Sequence, residues 1–134
     1  MDISGYVSLN PSNGIMVFNS YVDVPGIFAD NYQFTAQAIN TQSGTTYTLK
    51  TTDNGKVIVF TNGSAVTLTI PSGLGVGFNC SVVQYGTGQV AVSAGAGVTL
   101  RLRSSANKTS GQYSVSSLIS VVANEYLFAG DTTS

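Results

Sequence analysis

Apolar and polar positions alternate with a period of two along most of the chain beyond residue 32. The alternating or β-branched runs are "YQFTAQAI" (32–39), "KVIVFTN" (56–62), "AVTLTIP" (65–71), "FNCSVVQY" (78–85), "QVAVSA" (89–94), "VTLRLR" (98–103), "QYSVSSLISVV" (112–122) and "EYLFAG" (125–130). A two-residue period sends alternate side chains to opposite faces, so each run predicts a strand with one buried face. No convincing helix is predicted anywhere. Turn signals separate most runs: Asp53-Asn54-Gly55, Asn62-Gly63, Pro71-Ser72-Gly73, Gly86-Thr87-Gly88 and Gly95-Ala96-Gly97. Short strands at roughly 8–12-residue spacing predict an all-β fold, a compact antiparallel β-sandwich or barrel-like domain. Asn62-Gly63 is the strongest local hairpin signal, and Pro71 should end its strand because it has no N–H to donate. On this pattern Val57, Val59, Leu68, Ile70, Val82, Val90, Val92, Leu100 and Ile119 are the expected core.

The glycine-rich "GTGQVA" (86–91) fits the G-x-G-x-x-G/A template of a dinucleotide-binding loop. That chemistry needs a helix N-terminus directly after the glycines, where free N–H groups and the helix dipole hold the phosphate. Here the glycines lead into alternation at Val90 and Val92, a strand signature, so they turn the chain and hold no cofactor.

The first forty residues differ in kind. They hold six aromatics (Tyr6, Phe18, Tyr21, Phe28, Tyr32, Phe34) and the prolines Pro11 and Pro25, and their periodicity is broken. We therefore divide the chain into an irregular amino-terminal arm, 1–40, and a β domain, 41–134. The arm either supplies extra strands or docks on a partner, since aromatic anchors dominate interface energetics. Phe18, Tyr21, Phe28, Tyr32 and Phe34 are its candidate contacts.

Composition sharpens the picture at one point. Hydrophobic residues make up an ordinary 43%, but charged residues only 8%, against a typical value of about 25%. A surface solvated by Ser, Thr, Asn and Gln rather than by charge suits a protein covered by copies of itself or by a partner. The net charge of −1 gives little protection against association. Five basic residues are too few for a nucleic-acid footprint. No run approaches the ~18 apolar residues of a membrane helix, and no signal peptide is visible at "MDISGYVSLN".

Candidate chemistry is sparse. Histidine is absent, which removes the commonest general base and metal ligand. The carboxylates Asp2, Asp23, Asp30, Asp53, Glu125 and Asp131 show no paired or calcium-ligand spacing. Asp53 reads as a turn residue bonding local backbone, and Cys80 as a small buried thiol. The sequons at Asn62, Asn79 and Asn107 read as chance. No catalytic, cofactor-binding or metal-binding residues are expected, and enzymatic activity is not. Arg101 and Arg103 should share one strand face, either as a solvated stripe or as a contact to acidic residues of a neighbouring chain, which the guanidinium fork suits.

Residues 47 to 131 resemble a domain of structural proteins of tailed bacteriophages, found in tail fibres, head fibres and head-decoration proteins. The resemblance is carried, in order, by "YTL" (47–49), "DNGKVIVFTNGSAVTLTIP" (53–71), "VVQYGTGQVAVSAGAGVTLRLR" (82–103), "GQYSVSSLI" (111–119) and "NEYLFAGD" (124–131). It implies a compact β domain, commonly a homotrimer, borne on a virion surface, with no catalytic residues. The expected partners are the chain itself and the major capsid protein or another virion protein, with no nucleic acid and no membrane. The expected function is capsid decoration: a cement protein that binds and stabilises the outside of the head. The alternative is a receptor-binding or distal domain of a tail or head fibre, and a sugar-binding module of cellular origin is weaker. Small size, the absence of a long fibrous region and the lack of Trp, which a glycan-binding tip would often expose, favour decoration.

Overall fold

Until a hairpin near its carboxyl end, the chain passes repeatedly from one sheet to a second instead of doubling back within a sheet. A computed structural model describes residues 36–134, of which Gln37–Ser134 form one unit. Its strands are β1 (Ile39–Gln42), β2 (Thr46–Thr48), β3 (Val57–Phe60), β4 (Val66–Ile70), β5 (Asn79–Gln84), β6 (Val90–Ala94), β7 (Thr99–Leu102), β8 (Lys108–Thr109), β9 (Val115–Val122), β10 (Glu125–Gly130) and β11 (Thr132–Thr133). Helix among the described residues is confined to 3-10 turns at Thr51–Asp53 and Arg103–Ser105. The all-β expectation therefore holds for these residues. The arm aromatics Phe18, Tyr21, Phe28, Tyr32 and Phe34 lie outside them.

The six-stranded sheet has the order β1-β3-β5-β9-β10-β7, and the five-stranded sheet the order β11-β8-β6-β4-β2. β1, β3 and β5 run parallel, as do β2, β4 and β6. Each pair β1–β2, β3–β4 and β5–β6 is thus one coil of a solenoid-like stack. Every antiparallel pairing involves β8 or β9. This corrects the antiparallel sandwich or barrel expected from the turn signals. Asn62-Gly63 does not close a hairpin: β3 and β4 lie in different sheets, and the dipeptide makes a corner between them. Hairpin and corner need the same turn chemistry, and only the burial of the flanking strands separates them.

The corners stack as the strands do. The Asn62 amide donates to the Ser43 carbonyl of the coil before (2.6 Å), while its Oδ1 accepts the Ser64 N–H (2.7 Å). On the other side Gly86 N donates to Phe60 O and Gly88 N to Asn62 O, both at 2.9 Å. A Cβ on Gly86 or Gly88 would collide with the backbone carbonyls of Thr61, Asn62 or Ser64. The glycines of "GTG" therefore turn the chain, as expected, and their deciding property is the absence of a side chain against the corner below.

Val57 pairs with Ser81 and Val66 with Val90, the same sequence offset in both sheets. At that offset "VIVFTNGSAVTLTIPSGL" (57–74) lies over "SVVQYGTGQVAVSAGAGV" (81–98) residue for residue. This internal repeat was legible, and it is the feature that announces a solenoid rather than a sandwich.

Between the sheets lies one apolar core, including Leu49, Ile58, Phe60, Leu68, Ile70, Val82, Val90, Val92, Leu118, Tyr126 and Phe128. Full burial of such a side chain contributes about 1.5–3 kcal/mol. Leu68, Ile70, Val82, Val90 and Val92 are buried as expected. Two strands have the opposite phase: Ile58 and Phe60, not Val57 and Val59, point inward from β3, and Leu118, not Ile119, from β9. Leu100 is half-buried, packed against the core. β4 ends at Ile70, directly before Pro71. The short β2, β8 and β11 were not anticipated, and β1 begins where the predicted "YQFTAQAI" strand should end.

Candidate functional site

The two sheets differ in what they turn outward. On the five-stranded sheet the outward positions of β2, β4 and β6 are Thr46, Thr48, Thr67, Thr69, Ala91 and Ser93, a small and polar surface. The six-stranded sheet turns out mostly aliphatic side chains, interspersed with Thr41, Asn79, Ser81 and Ser117. Its register aligns Thr41, Val59, Val83 and Val115 in one row. A second row is Ile39, Val57, Ser81, Ser117 and Ala129, and a third is Asn79, Ile119, Leu127 and Arg101. Val115 is 56% exposed, Ile119 41%, Val121 57% and Leu127 40%.

Strand β9 shows the inversion most clearly. Its inward positions and the residue just before it are Ser114, Ser116, Leu118 and Ser120, all buried, while Val115, Ile119 and Val121 face out. The inward serines are satisfied locally. Ser114 Oγ donates to an Asp131 carboxylate oxygen (3.1 Å) and Ser120 Oγ to Val122 O (2.9 Å). A slip of one residue would exchange the two faces. The pairing of β9 with β10, which seats Tyr126 and Phe128 in the core, holds the register in place.

The apolar face ends in an aromatic pair. Tyr85 and Tyr113, 58% and 64% exposed, meet edge to face with ring centroids 5.6 Å apart. Tyr113 has φ of 73°, a conformation rare for a residue with a side chain. Its N–H donates to Gln84 O (2.6 Å), which holds the ring beside Tyr85.

Arg101 and Arg103 part company. Arg101 lies on β7, the last strand of the six-stranded sheet, and pairs with Glu125 on β10. Arg103 has left the strand for a 3-10 turn and lines an open pocket of about 320 Å³ with Ser104, Ala106, Phe128, Ala129 and Thr132. The two do not form the joint stripe expected from alternation.

Asp53 is buried at the first coil. It accepts from Asn40 Nδ2 (2.7 Å), from the Tyr47 hydroxyl (2.8 Å) and from Lys50 N (2.9 Å). The Lys50 bond is the local turn contact expected; the other two tie β1 and β2 to the turn. Burial, and then the bond to Asp53, raise the Tyr47 phenol above its ordinary range. The network is closed on itself and presents no nucleophile beside a base. Cys80 is buried and free, and burial pushes its thiol up to about 12, so it is protonated and unreactive at neutral pH. Among the described residues no group of His, Cys, Asp or Glu side chains could hold a metal ion.

The outward rows were missed at the sequence level, although a signal existed. "VIVF" (57–60) and "YLFA" (126–129) are apolar in both phases, the mark of a strand covered on two faces. No known family model and no curated protein matches this chain.

Proposed function

We propose that this chain is a non-catalytic structural subunit of a bacteriophage virion, a capsid decoration protein that binds and stabilises the outer surface of the head as a homotrimer. One observation carries the reading: a sheet face of mostly aliphatic side chains, interrupted by Ser81 and Ser117, on which the only charges among the described residues, Arg101 and Glu125, pair with each other at one margin. Exposed apolar faces of this extent mark protein–protein contact. The ordered resemblance of residues 47–131 to phage structural domains adds the virion setting, and the arm residues Phe18 to Phe34 supply aromatic anchors for the shell.

The exposed Tyr85–Tyr113 pair favours a second reading, a distal or receptor-binding domain of a tail or head fibre, since exposed aromatic rings serve as recognition anchors. Quantitative mass spectrometry of purified virions separates the two. Decoration requires a copy number comparable with that of the major capsid protein, whereas a fibre is present in a small fraction of that number. Absence of the chain from virions overturns both.

A further inference from the structure

We infer that copies of this chain meet through the outer face of the six-stranded sheet, the same face of the other copies being its occupant, with the three faces turned toward one threefold axis. The inference rests on the homo-oligomer proposed above and names its contact surface.

The first support is the inversion on β9. A strand that points Ser114, Ser116 and Ser120 into its own core and Val115, Ile119 and Val121 outward has its more apolar side on the outside. A lone subunit gains nothing from that arrangement, whereas an assembled one buries both sides. The half-buried Val57, Val59 and Val83 of the parallel strands extend the same surface.

Charge points to a copy rather than to an unlike partner. Two identical faces meet without like-charge repulsion only if each is nearly uncharged, and the rows from β1 to β9 carry no charged side chain. The margin pair Arg101–Glu125 is neutral as a unit. A partner of opposite charge would have nothing here to recognise.

Size is consistent with a specific contact. Six strands about 4.8 Å apart span about 24 Å, and strands of four to eight residues run roughly 13–26 Å. The projected area is on the order of 500 Å². Counted on both partners that is about 1,000 Å², the lower bound for a specific interface. Tyr85 and Tyr113 then act as rim anchors, which explains a tyrosine held at positive φ in solvent: observed backbone strain is a pointer to function. The threonine-rich face of the five-stranded sheet offers no such surface and remains outward.

Sedimentation velocity of the full chain at micromolar concentration tests this. The unaltered protein should sediment as a homo-oligomer. Ile119→Lys and Leu127→Lys place like charges against each other across the contact and should weaken association at least tenfold, to a 13.9 kDa species. Thr67→Lys, on the opposite sheet, should leave the oligomer intact. Both altered side chains on the apolar face are exposed, so far-UV circular dichroism should stay unchanged. A second arm uses Ser117→Cys, central on the face: a bis-maleimide spanning about 10 Å, the spacing of sheets packed face to face, should cross-link copies through it, the native Cys80 being buried, and failure to cross-link an oligomer counts against the inference. An oligomer indifferent to Ile119→Lys and Leu127→Lys, or one dissociated by Thr67→Lys, overturns the inference and leaves the virion reading standing. A protein that sediments as a monomer throughout overturns the inference and the homotrimer together, and virion copy number then decides the rest.

Discussion

Replacing Gly88 with alanine adds one methyl group where two coils touch. The new Cβ would lie 2.8 Å from the Asn62 carbonyl oxygen and closer still to that of Ser64, against an ordinary contact of 3.4 Å or more. Both neighbours are backbone, so no rotamer change relieves the clash. The corner must move by more than half an ångström, which strains or breaks the 2.9 Å bond from Gly88 N to Asn62 O. Overpacking costs about 1–3 kcal/mol and a lost hydrogen bond about 0.5–1.5 kcal/mol; together we expect about 2–4 kcal/mol. Two controls isolate the cause. Gly97 has φ of 78° and no atom within 4 Å of its would-be Cβ, so Gly97→Ala pays only for the left-handed backbone, about 1–2 kcal/mol. Gly111 is open and has no positive φ, so Gly111→Ala should be neutral or stabilising by up to about 1 kcal/mol. Urea unfolding followed by circular dichroism, at one fixed protomer concentration because association shifts apparent stability, reads all three. In thermal melts each kcal/mol corresponds to roughly 4–8 °C for a domain of this size. A Gly88→Ala protein within about 0.5 kcal/mol of the parent would refute the stacked corners and return the hairpin interpretation of these glycines.

The remaining expectations concern strand phase, the buried acid and the thiol. Leu118→Ala should cost about 2–5 kcal/mol in the same urea assay, and Val59→Ala, on the outer face, less than half as much; the reverse order would mean β3 or β9 is out of phase. Asp53→Ala strands the donors of Asn40, Tyr47 and Lys50 and should cost about 3 kcal/mol, since hydrogen bonds to a charged group contribute about 1.5–3 kcal/mol each and part of that is recovered from water; an unchanged urea midpoint would show the network to be incidental. Cys80 should resist thiol reagents at pH 8 in the native protein and react fully once unfolded. Its thiol stays protonated up to about 12 in the fold, against an ordinary 9.0. Unfolding therefore releases a proton at alkaline pH, and the stability this group contributes is complete below pH 9 and drains as pH rises toward 12, by at most about 1.4 kcal/mol per pH unit. Tyr47 and Tyr126, both raised by burial, act in the same direction. A Cys80→Ala protein whose stability falls as steeply between pH 9 and 11 as that of the parent would assign the alkaline loss to the tyrosines instead.

Local alternation was enough to read β3 to β7, β9 and β10 as strands, that glycine turns the chain at 86–88, and that Pro71 closes β4. These depend on the backbone of one segment and its nearest neighbours. The inward phase of β4 and β6 was also legible, because there the apolar residues occupy one phase alone: Val66, Leu68 and Ile70 against Thr67 and Thr69. On β3 and β9 both phases carry apolar residues, and the chain by itself offers no rule for which side meets the core. Phe60 and Leu118 settle it by what stands opposite them across the sheets, a long-range matter. Sheet membership was decided in the same way. Asn62-Gly63 makes an equally good turn at a hairpin or a corner, and the parallel partner of β3 lies a full coil away in sequence, beyond the reach of any local signal except the repeat shared by 57–74 and 81–98. The two-faced apolar character of "VIVF" and "YLFA" was legible, but the joining of the outer face was decided by tertiary structure, because Val59, Val83, Val115, Ile119 and Leu127 come from four strands. Only the register between those strands makes them one surface.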